Sequence, residues 1–345
     1  MIVTRTPFRI SFLGGGTDFP AWYRDHGGAV LATAIDKYCY ISCRYLPPFF
    51  QHHSRIVYNR IEDVHDNSRI EHPAVRACLQ ELGITAGMEI HHDADLPART
   101  GLGTSSAFVV GLLHALHALR QQPREAADLA RAAITIEREV LRENVGAQDQ
   151  ILAAYGGFHV IRFRDDGRFH LEPLALPPQR LQALREHLHI YFTGCARTSS
   201  DIAGHQIANI RCCTAELRAL QELVEEGERL LAGTGPLAAF GALLHQAWVL
   251  KRRLSAHVSS AELDGIYAHA RAAGALGGKL LGAGGGGFFL FLVPPDRSAA
   301  FQQRMAPLMR VPFSFPAHGS ELVLCDTAGE CAAALDARQS YRIAA

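Results

Sequence analysis

Short stretches of alternating or continuous hydrophobic residues recur along the chain and predict β-strands. The first stretch, Ile2–Phe12, alternates well enough for a strand and stops at three successive glycines. Ala29–Arg44 is rich in β-branched and aromatic residues, which favours one or two strands. Similar stretches predict short strands at Gly87–His92, Phe158–Arg164, His189–Phe192, Phe288–Val293 and Leu322–Cys325.

Between these strands the hydrophobic residues recur at helical spacing. Ser105–Leu119 is apolar on all sides, which predicts a buried helix rather than a surface one. Pro123–Asn144 is amphipathic and ends before Gly146. Further helices are predicted at Pro73–Leu82, Ala147–Ala154, Ser199–Leu231, Leu237–Arg253 and Ala261–Ala273.

The order of these elements predicts the fold class. Strands and helices intermix without a regular βαβ repeat, which favours an α+β fold over a doubly wound parallel sheet. A chain of 345 residues exceeds the size at which one hydrophobic core usually keeps growing, so we expect two domains. Pro173–Pro178 is the predicted hinge, which divides the chain into residues 1–178 and 179–345.

Composition narrows the functional classes. Basic and acidic residues both number 34, so the formal net charge is zero. Such a chain has no general attraction for nucleic acid or anionic membranes, and any anion must bind at a local site. The longest apolar run is too short to span a bilayer, and the N-terminus lacks the apolar region of a signal peptide. The eight cysteines form no C-x-x-C pair, and no H-E-x-x-H occurs. We therefore expect a cytoplasmic protein with reduced thiols and no zinc site.

Glycine-rich segments occur at three places. In the first, a predicted strand carrying Arg9 runs into Gly14-Gly-Gly and Asp18. The second, Leu96–Ala107, opens directly into the predicted buried helix, and the third, Lys279–Gly287, precedes a strand. Glycine lets backbone N–H groups approach an anion closely, and a helix N-terminus adds a favourable dipole. The second segment has both features, so it is the predicted phosphate-binding loop.

Two common nucleotide-binding motifs are excluded. Gly282–Gly287 satisfies G-x-G-x-x-G, but a dinucleotide fingerprint requires a helix after the loop, and here F-F-L-F-L-V follows. Gly278-Lys279 is followed by Leu280 rather than Ser or Thr, so there is no P-loop. Any one of the glycine runs, taken alone, is also compatible with a simple tight turn.

Taken together and in this order, the three segments resemble the motifs of the GHMP kinase superfamily, which includes galactokinase, homoserine kinase and mevalonate kinase. The middle motif, P-x-x-x-G-L-G-[ST]-S, is the most specific of the three, and the resemblance extends from Thr6 to Gly287 and beyond. It implies a two-domain GHMP kinase fold with a ribosomal S5 domain 2-like N-terminal domain and a ferredoxin-like C-terminal domain. It also implies phosphoryl transfer from ATP with Mg²⁺.

The resemblance assigns roles to particular residues. Ser105 corresponds to the serine that binds Mg²⁺, and Glu137 to the metal-binding carboxylate. Asp149, twelve residues further on, corresponds to the catalytic aspartate, and Arg9 stands where the family has a Lys or Arg near the transferred phosphate. These types suit the chemistry, because Mg²⁺ prefers hard oxygen ligands and phosphoryl transfer needs charge neutralisation and positioning. The residues expected to bind ATP are Pro97, Gly101, Leu102, Gly103, Thr104, Ser105, Ser106, Gly284 and Gly285.

Two plainer interpretations stay open at this point. Glu137 could be one of several solvated carboxylates on its helix, beside Glu139 and Glu143, and Asp149 could be a residue that starts a helix. A protein that keeps the fold but only senses a nucleotide or sugar is a further alternative. The complete set of Ser105, Glu137 and Asp149 favours the enzyme.

The first glycine segment bears on the substrate. Galactokinase-like members carry G-E-H-T-D where this chain has G-G-G-T-D, so Gly15 and Gly16 replace two side chains that contact sugar hydroxyls, and Asp18 remains. This difference indicates a roomier sugar pocket. The stretches R-I-S-F-L-G-G-G-T-D, A-I-D-K-Y and E-N-V-G-A-Q-D-Q look most like the branch that phosphorylates the anomeric hydroxyl of D-glycero-D-manno-heptose 7-phosphate. Fucokinases share G-G-x-T-D and are the alternative.

A sugar that already carries a phosphate needs a cationic site separate from that of ATP. The candidates are Arg197, Lys251, Arg252 and Lys279. Arginine suits bidentate phosphate contact and lysine acts as a point charge, so the hypothesis favours Arg197 with Lys251. The alternative is that Lys251-Arg-Arg253 is a solvated helix end favoured by the helix dipole.

Overall fold

Strands and helices follow one another irregularly in the computed structural model, which describes residues 1–47, 49–195 and 199–326. Two sheets are present in this part of the chain, and nearly all of their strand pairs are antiparallel. The α+β prediction is therefore confirmed. No helix among the described residues has the length and apolar character that crossing a membrane requires.

The first sheet is built around one long strand. Its members are β1 (Ile2–Leu13), β2 (Gly28–Tyr45), β3 (Ser54–Val57), β4 (Ile61–Val64), β5 (Met88–Ala94), β6 (Phe158–Phe163), β7 (Phe169–Pro173) and β12 (Glu321–Cys325). The order is β12-β1-β2-β5-β3-β4, with β6 beside the first part of β2 and β7 beside β6. Strand β2 is continuous over 18 residues because β6 pairs with its first part and β5 with its last.

Helices cover this sheet and form its core. They are α1 (Pro20–His26), α2 (Pro73–Glu81), α3 (Thr104–Leu119), α4 (Ala126–Thr135) and α5 (Gln148–Tyr155). Helix α3 packs on β1 and β2 and is buried along most of its length, as its all-round apolar sequence predicted. The helix predicted from Pro123 is shorter than expected, because a π-helical turn, Ile136–Val140, follows α4 and ends it.

The second sheet is smaller. It consists of β8 (Leu188–Phe192), β9 (Gly277–Leu280), β10 (Phe288–Leu292) and β11 (Arg310–Val311) in the order β11-β8-β10-β9. Its helices are α6 (Pro178–His187), α7 (Ser199–Asn209), α8 (Thr214–Ala232), α9 (Ala238–Arg253), α10 (Ala261–Ala272) and α11 (Pro295–Arg304). The prediction of one helix over Ser199–Leu231 is wrong, since a turn separates α7 from α8. At this turn the Asn209 side chain donates a hydrogen bond to the Leu254 carbonyl at 3.0 Å.

Helix α8 packs on β1 and β2 of the first sheet and on α9, which in turn packs on the second sheet. Gly227 of this helix lies so close to β1 that a Cβ there would come within 2.3 Å of Leu13. Strand β12 also returns to the first sheet and pairs with β1, although it follows the second sheet in the chain. The division at residues 178 and 179 stays a prediction, and the last strand joins the N-terminal part of the protein.

Candidate active site

The predicted phosphate-binding loop runs directly into the N-terminus of α3. Gly101 and Gly103 have φ angles of 81° and 74°, in the left-handed region that favours glycine. A Cβ on Gly101 would come within 2.6 Å of the Leu281 carbonyl oxygen, so the loop also packs tightly on the third glycine segment. The first N–H groups of a helix have no partner inside the helix. The loop therefore offers backbone donors to an anion at the start of α3.

Arg9 and Asp149 form an ion pair beside this loop. The Arg9 guanidinium donates two hydrogen bonds of 2.7 Å to the two Asp149 carboxylate oxygens, and a third of 2.7 Å to the Gly101 carbonyl. Arg9 is buried, whereas 24% of the Asp149 side chain is exposed. Gly103 lies against both, and a Cβ there would sit 3.4 Å from an Asp149 carboxylate oxygen. Strand β1, helix α5 and the phosphate loop thus meet at one point.

Asp18 is a second carboxylate close to this pair. Its Oδ1 accepts a hydrogen bond from the Gly16 backbone N–H at 3.1 Å, and the side chain is buried. Gly146 packs directly on the Asp18 carboxylate, and no larger residue would fit there. Burial, and next the charge of Asp149, raise the pKa of Asp18. The first glycine segment therefore places Asp18 next to Asp149, with Gly15 and Gly16 beside it.

Glu137 lies on the π-helical turn and faces the start of α3. The turn is defined by a hydrogen bond from the Leu141 N–H to the Ile136 carbonyl at 2.8 Å, and such turns are common at functional sites. Glu137 is 1% exposed and accepts hydrogen bonds from the Ser106 hydroxyl at 2.8 Å and from the Gln150 amide. Burial raises its pKa to about 7, although both hydrogen bonds act in the opposite direction.

The serine that contacts Glu137 is not the one singled out by the motif. Ser105 is exposed on the first turn of α3, while the next residue, Ser106, is buried against Glu137. Gln150 was not predicted at all. It directly follows Asp149 on α5, so the two side chains leave the helix in different directions and serve different partners. The only sequence signal for Gln150 is its position directly after Asp149 in the polar stretch Q-D-Q.

The third glycine segment contacts the phosphate loop through its two ends. Gly282 packs against Gly101, and Gly287 packs against the Thr100 carbonyl. Gly284 and Gly285, the residues predicted to bind ATP, instead contact Val258, whose carbonyl accepts a 2.9 Å hydrogen bond from the Gly285 N–H. Their contact with ATP stays a prediction.

Three of the four residues predicted to bind a substrate phosphate are described, and these three do not form one cluster. Arg252 lies at the surface, where it pairs with Asp264 at 3.0 Å. Lys251 and Lys279 are buried and donate to backbone carbonyls under the glycine segments. Arg197 lies outside the described residues. The helix-end interpretation thus holds for Arg252, while the two lysines lie next to the site without facing solvent.

Comparison with known proteins agrees with this geometry. The profile of the GHMP kinases N terminal domain matches residues 69–157, and that of the GHMP kinases C terminal domain matches residues 219–308. A D-glycero-alpha-D-manno-heptose 7-phosphate kinase from Campylobacter jejuni is 30% identical over 315 residues, which cover 86% of this chain and 90% of that protein. A bifunctional fucokinase/GDP-fucose pyrophosphorylase from Arabidopsis thaliana is 24% identical and covers 87% of this chain, but only 30% of its own length is matched.

A solved structure shows the same fold. The D-glycero-D-manno-heptose 1-phosphate kinase from Bacteriodes thetaiotaomicron superimposes with a TM-score of 0.78 at 22% identity, and covers 94% of this chain and 99% of its own. The family profiles together match more than half of the chain. The chain therefore belongs to the GHMP kinase family and is a sugar kinase, of a family that uses ATP as its phosphoryl donor.

Proposed function

We propose that this sugar kinase transfers the γ-phosphate of ATP, with Mg²⁺, to the anomeric hydroxyl of D-glycero-D-manno-heptose 7-phosphate. We infer the site of phosphoryl transfer from the Arg9–Asp149 pair beside the N-terminus of α3, with the Asp18 carboxylate next to it. The name of the Campylobacter relative supports the substrate. Gly15 supports it as well, because a Cβ there would meet only the Ser11 hydroxyl at 3.6 Å, whereas Gly16 packs on Leu217 and Leu254 and leaves no such space. We expect the reaction in the cytoplasm, where ATP is available.

Different residues of the chain would bind ATP, stabilise the transferred phosphoryl group and orient the acceptor hydroxyl. The N–H groups at the start of α3 would bind the ATP phosphates, with Pro97, Leu102 and Thr104 shaping the loop. Arg9 would stabilise the charge of the transferred phosphoryl group, and the partly exposed Asp149 would orient the acceptor hydroxyl and accept its proton.

Asp18 would hold sugar hydroxyls. Its buried carboxylate accepts from backbone N–H groups, which leaves further acceptor capacity for hydroxyl donors. This arrangement supports a sugar rather than a flat or apolar acceptor.

The residues around Glu137 fit a magnesium ion. Within the described part of the chain, Glu137 is a buried carboxylate held by two neutral donors and no cation, so a divalent ion would supply the missing positive charge. Ser105, at the exposed start of α3, would be the second protein ligand, while Ser106 holds the carboxylate in place. When bound, Mg²⁺ would neutralise charge on the ATP phosphates.

An ATP-consumption assay with a panel of acceptors tests the substrate. The panel comprises heptose 7-phosphate, heptose 1-phosphate, hexose 6-phosphates, free heptose, fucose and galactose. We expect kcat/KM to be at least tenfold higher for the heptose 7-phosphate than for any free sugar, because a phosphate group contributes charged hydrogen bonds of about 1.5–3 kcal/mol. The product's position of phosphorylation is read by phosphorus NMR.

Fucokinase activity is the second candidate. The Arabidopsis protein supports it, and so does the G-G-x-T-D element at residues 14–18. A preference of the wild type for fucose over every sugar phosphate in the panel would replace the heptose assignment with this one.

A further inference from the structure

The chain uses arginine almost everywhere that it needs a cation. Of its 34 basic side chains, 31 are arginines and only three are lysines, at positions 37, 251 and 279. Two of these three are buried next to the transfer site, with 5% and 4% of Lys251 and Lys279 exposed. Lysine differs from arginine in one respect that matters in a buried position, because its ammonium group can lose a proton near neutral pH. The choice of lysine at these two positions therefore points to that property.

Lys251 lies under the third glycine segment. Its Nζ donates to the Leu280 carbonyl at 2.8 Å and to the Gly282 carbonyl. Gly282 in turn packs on Gly101 of the phosphate loop. Lys251 thus holds the segment that supports the phosphate loop from below.

Lys279 connects the third glycine segment to the strand that precedes the first glycine segment. It stands on β9, and its Nζ donates to the Phe12 carbonyl at 3.0 Å, just before the first glycine segment begins. Both lysines have neutral carbonyl partners, and neither forms an ion pair with a carboxylate in the part of the chain that the structure describes.

The charges around the two lysines are unbalanced. Arg9 is close enough to act on both lysine side chains, and a charge on Lys279 acts on Lys251. Asp18 is a carboxylate that acts on Lys279, while Arg9 is itself paired with Asp149. Burial, and next the charge of Arg9, lower the pKa of Lys279 to about 7, while Asp18 acts in the opposite direction. Burial, and next the charge of Lys279, lower the pKa of Lys251.

We propose that Lys251 and Lys279 are positioning residues whose charge follows the occupancy of the transfer site, so that binding of an anionic substrate is accompanied by proton uptake. This inference rests on the proposed function, because the anion that it requires is the phosphate chain of ATP. A neutral amine takes one proton from solvent and becomes an ammonium group when the phosphates add negative charge nearby. In the free protein, a neutral amine on one lysine avoids placing three buried cations, Arg9, Lys251 and Lys279, next to one another.

Titration calorimetry of the wild type measures this uptake directly. The ligand is a non-hydrolysable ATP analogue with saturating Mg²⁺, at pH 8, in two buffers of different ionisation enthalpy. At this pH Glu137, with a pKa of about 7, has already released most of its proton, so metal binding adds little to the count. Lys279, with a pKa of about 7, is then mostly neutral before binding. We expect an uptake on the order of one proton per bound nucleotide.

Substitutions of single lysines show which side chain takes up the proton. Lys279→Arg keeps the positive charge but does not titrate in this range, so the uptake should fall toward zero while the nucleotide still binds. Lys251→Arg should reduce it by a smaller amount. Lys37→Arg, at a partly exposed lysine beside Asp36, is the matched control and should behave as the wild type.

Three results would contradict the proposal. Wild-type binding without proton uptake at pH 8 overturns the proposal, even if no variant folds. Uptake that persists in both Lys279→Arg and Lys279→Met, and in Lys251→Arg, also overturns it, because another group would then be the source. If the wild type binds no nucleotide at all, the proposed kinase function fails, and this inference fails with it.

Discussion

Two carboxylates flank the phosphate loop, and their surroundings are opposite in kind. Asp149 is partly exposed and forms a bidentate ion pair with Arg9. Glu137 is buried, and the donors to its carboxylate in the part of the chain that the structure describes are the neutral side chains of Ser106 and Gln150. Both residues were predicted from motifs, but the motifs did not distinguish how each charge is balanced.

This difference separates the roles of the two residues. Asp149 already has a counter-ion, Arg9, inside the protein, and the exposed part of its side chain can face the acceptor hydroxyl. Among the described residues, Glu137 has no cation as a hydrogen-bond or ion-pair partner, and burial raises its pKa. A residue of this kind is suited to a site where a metal ion arrives with the substrate.

The largest effect should come from Asp149→Asn. We expect kcat to fall by roughly 10²–10⁴-fold, the range for losing a positioned proton acceptor. Nucleotide affinity should change little, because the phosphates contact the loop and the start of α3. Single-turnover assays and nucleotide titrations measure the two quantities. Asp165→Asn, on the exposed loop between β6 and β7, is the control. A near-wild-type kcat in Asp149→Asn would remove this residue from the mechanism.

Glu137→Gln should act through the metal. The amide keeps an acceptor for Ser106 but loses the negative charge, so we expect the half-saturating Mg²⁺ concentration to rise about tenfold or more. Activity measured across a Mg²⁺ series gives this value. The neighbouring Glu139 is exposed on the same turn, and Glu139→Gln should resemble the wild type. If Glu139→Gln is the damaging change, the assignment of the carboxylate is wrong.

The pH dependence of the metal requirement distinguishes the two carboxylates further. Because protons compete with Mg²⁺ for Glu137, the half-saturating Mg²⁺ concentration should rise about tenfold per pH unit below pH 7 and level off above it. Mg²⁺ titrations at pH 6, 7 and 8 test this. In Glu137→Gln the dependence should disappear. A wild-type profile that is flat between pH 6 and 8 would show that Glu137 is not the titrating ligand.

The stability of the ligand-free protein should move in the opposite direction to activity. The pKa of Glu137 is about 7 in the folded protein and 4.5 ordinarily, so the folded state binds more protons between these values. Its contribution to the free energy of unfolding is therefore lost as pH rises from 4.5 to 7. At pH 8, Glu137→Gln should raise the free energy of unfolding by about 3 kcal/mol, and near pH 4.5 the two proteins should be nearly equal. Urea unfolding without metal or nucleotide, at both pH values, measures the difference. A destabilised variant at pH 8 would contradict it.

The smallest effects should separate the adjacent serines. Ser105→Ala removes an exposed hydroxyl at the start of α3 and should raise the Mg²⁺ requirement a few-fold without altering its pH dependence. Ser106→Ala removes a hydrogen bond that favours the charged form of Glu137, so the pH dependence should move to higher pH. Mg²⁺ titrations of both variants at several pH values tell them apart. An unchanged pH profile in Ser106→Ala would mean that its contact with Glu137 has no energetic effect.

Local chemistry was readable from the sequence by itself. The three glycine segments, the all-round apolar pattern of α3 and the family motifs together predicted the family and the α+β fold, both of which are confirmed. They also predicted which residue types meet at the loop. These features depend on neighbours along the chain: which backbone angles glycine allows, and where a helix begins.

Only the tertiary structure decided how distant side chains are paired. Neither the π-helical turn that directs Glu137 to Ser106 nor the turn between α7 and α8 had a pattern in the sequence. Lys251, Arg252 and Lys279 were all candidates for binding a substrate phosphate, yet Arg252 lies at the surface and the two lysines are buried under the glycine segments. Burial and ion pairing depend on residues far away in the chain, and it is these contacts that set the charge a side chain carries.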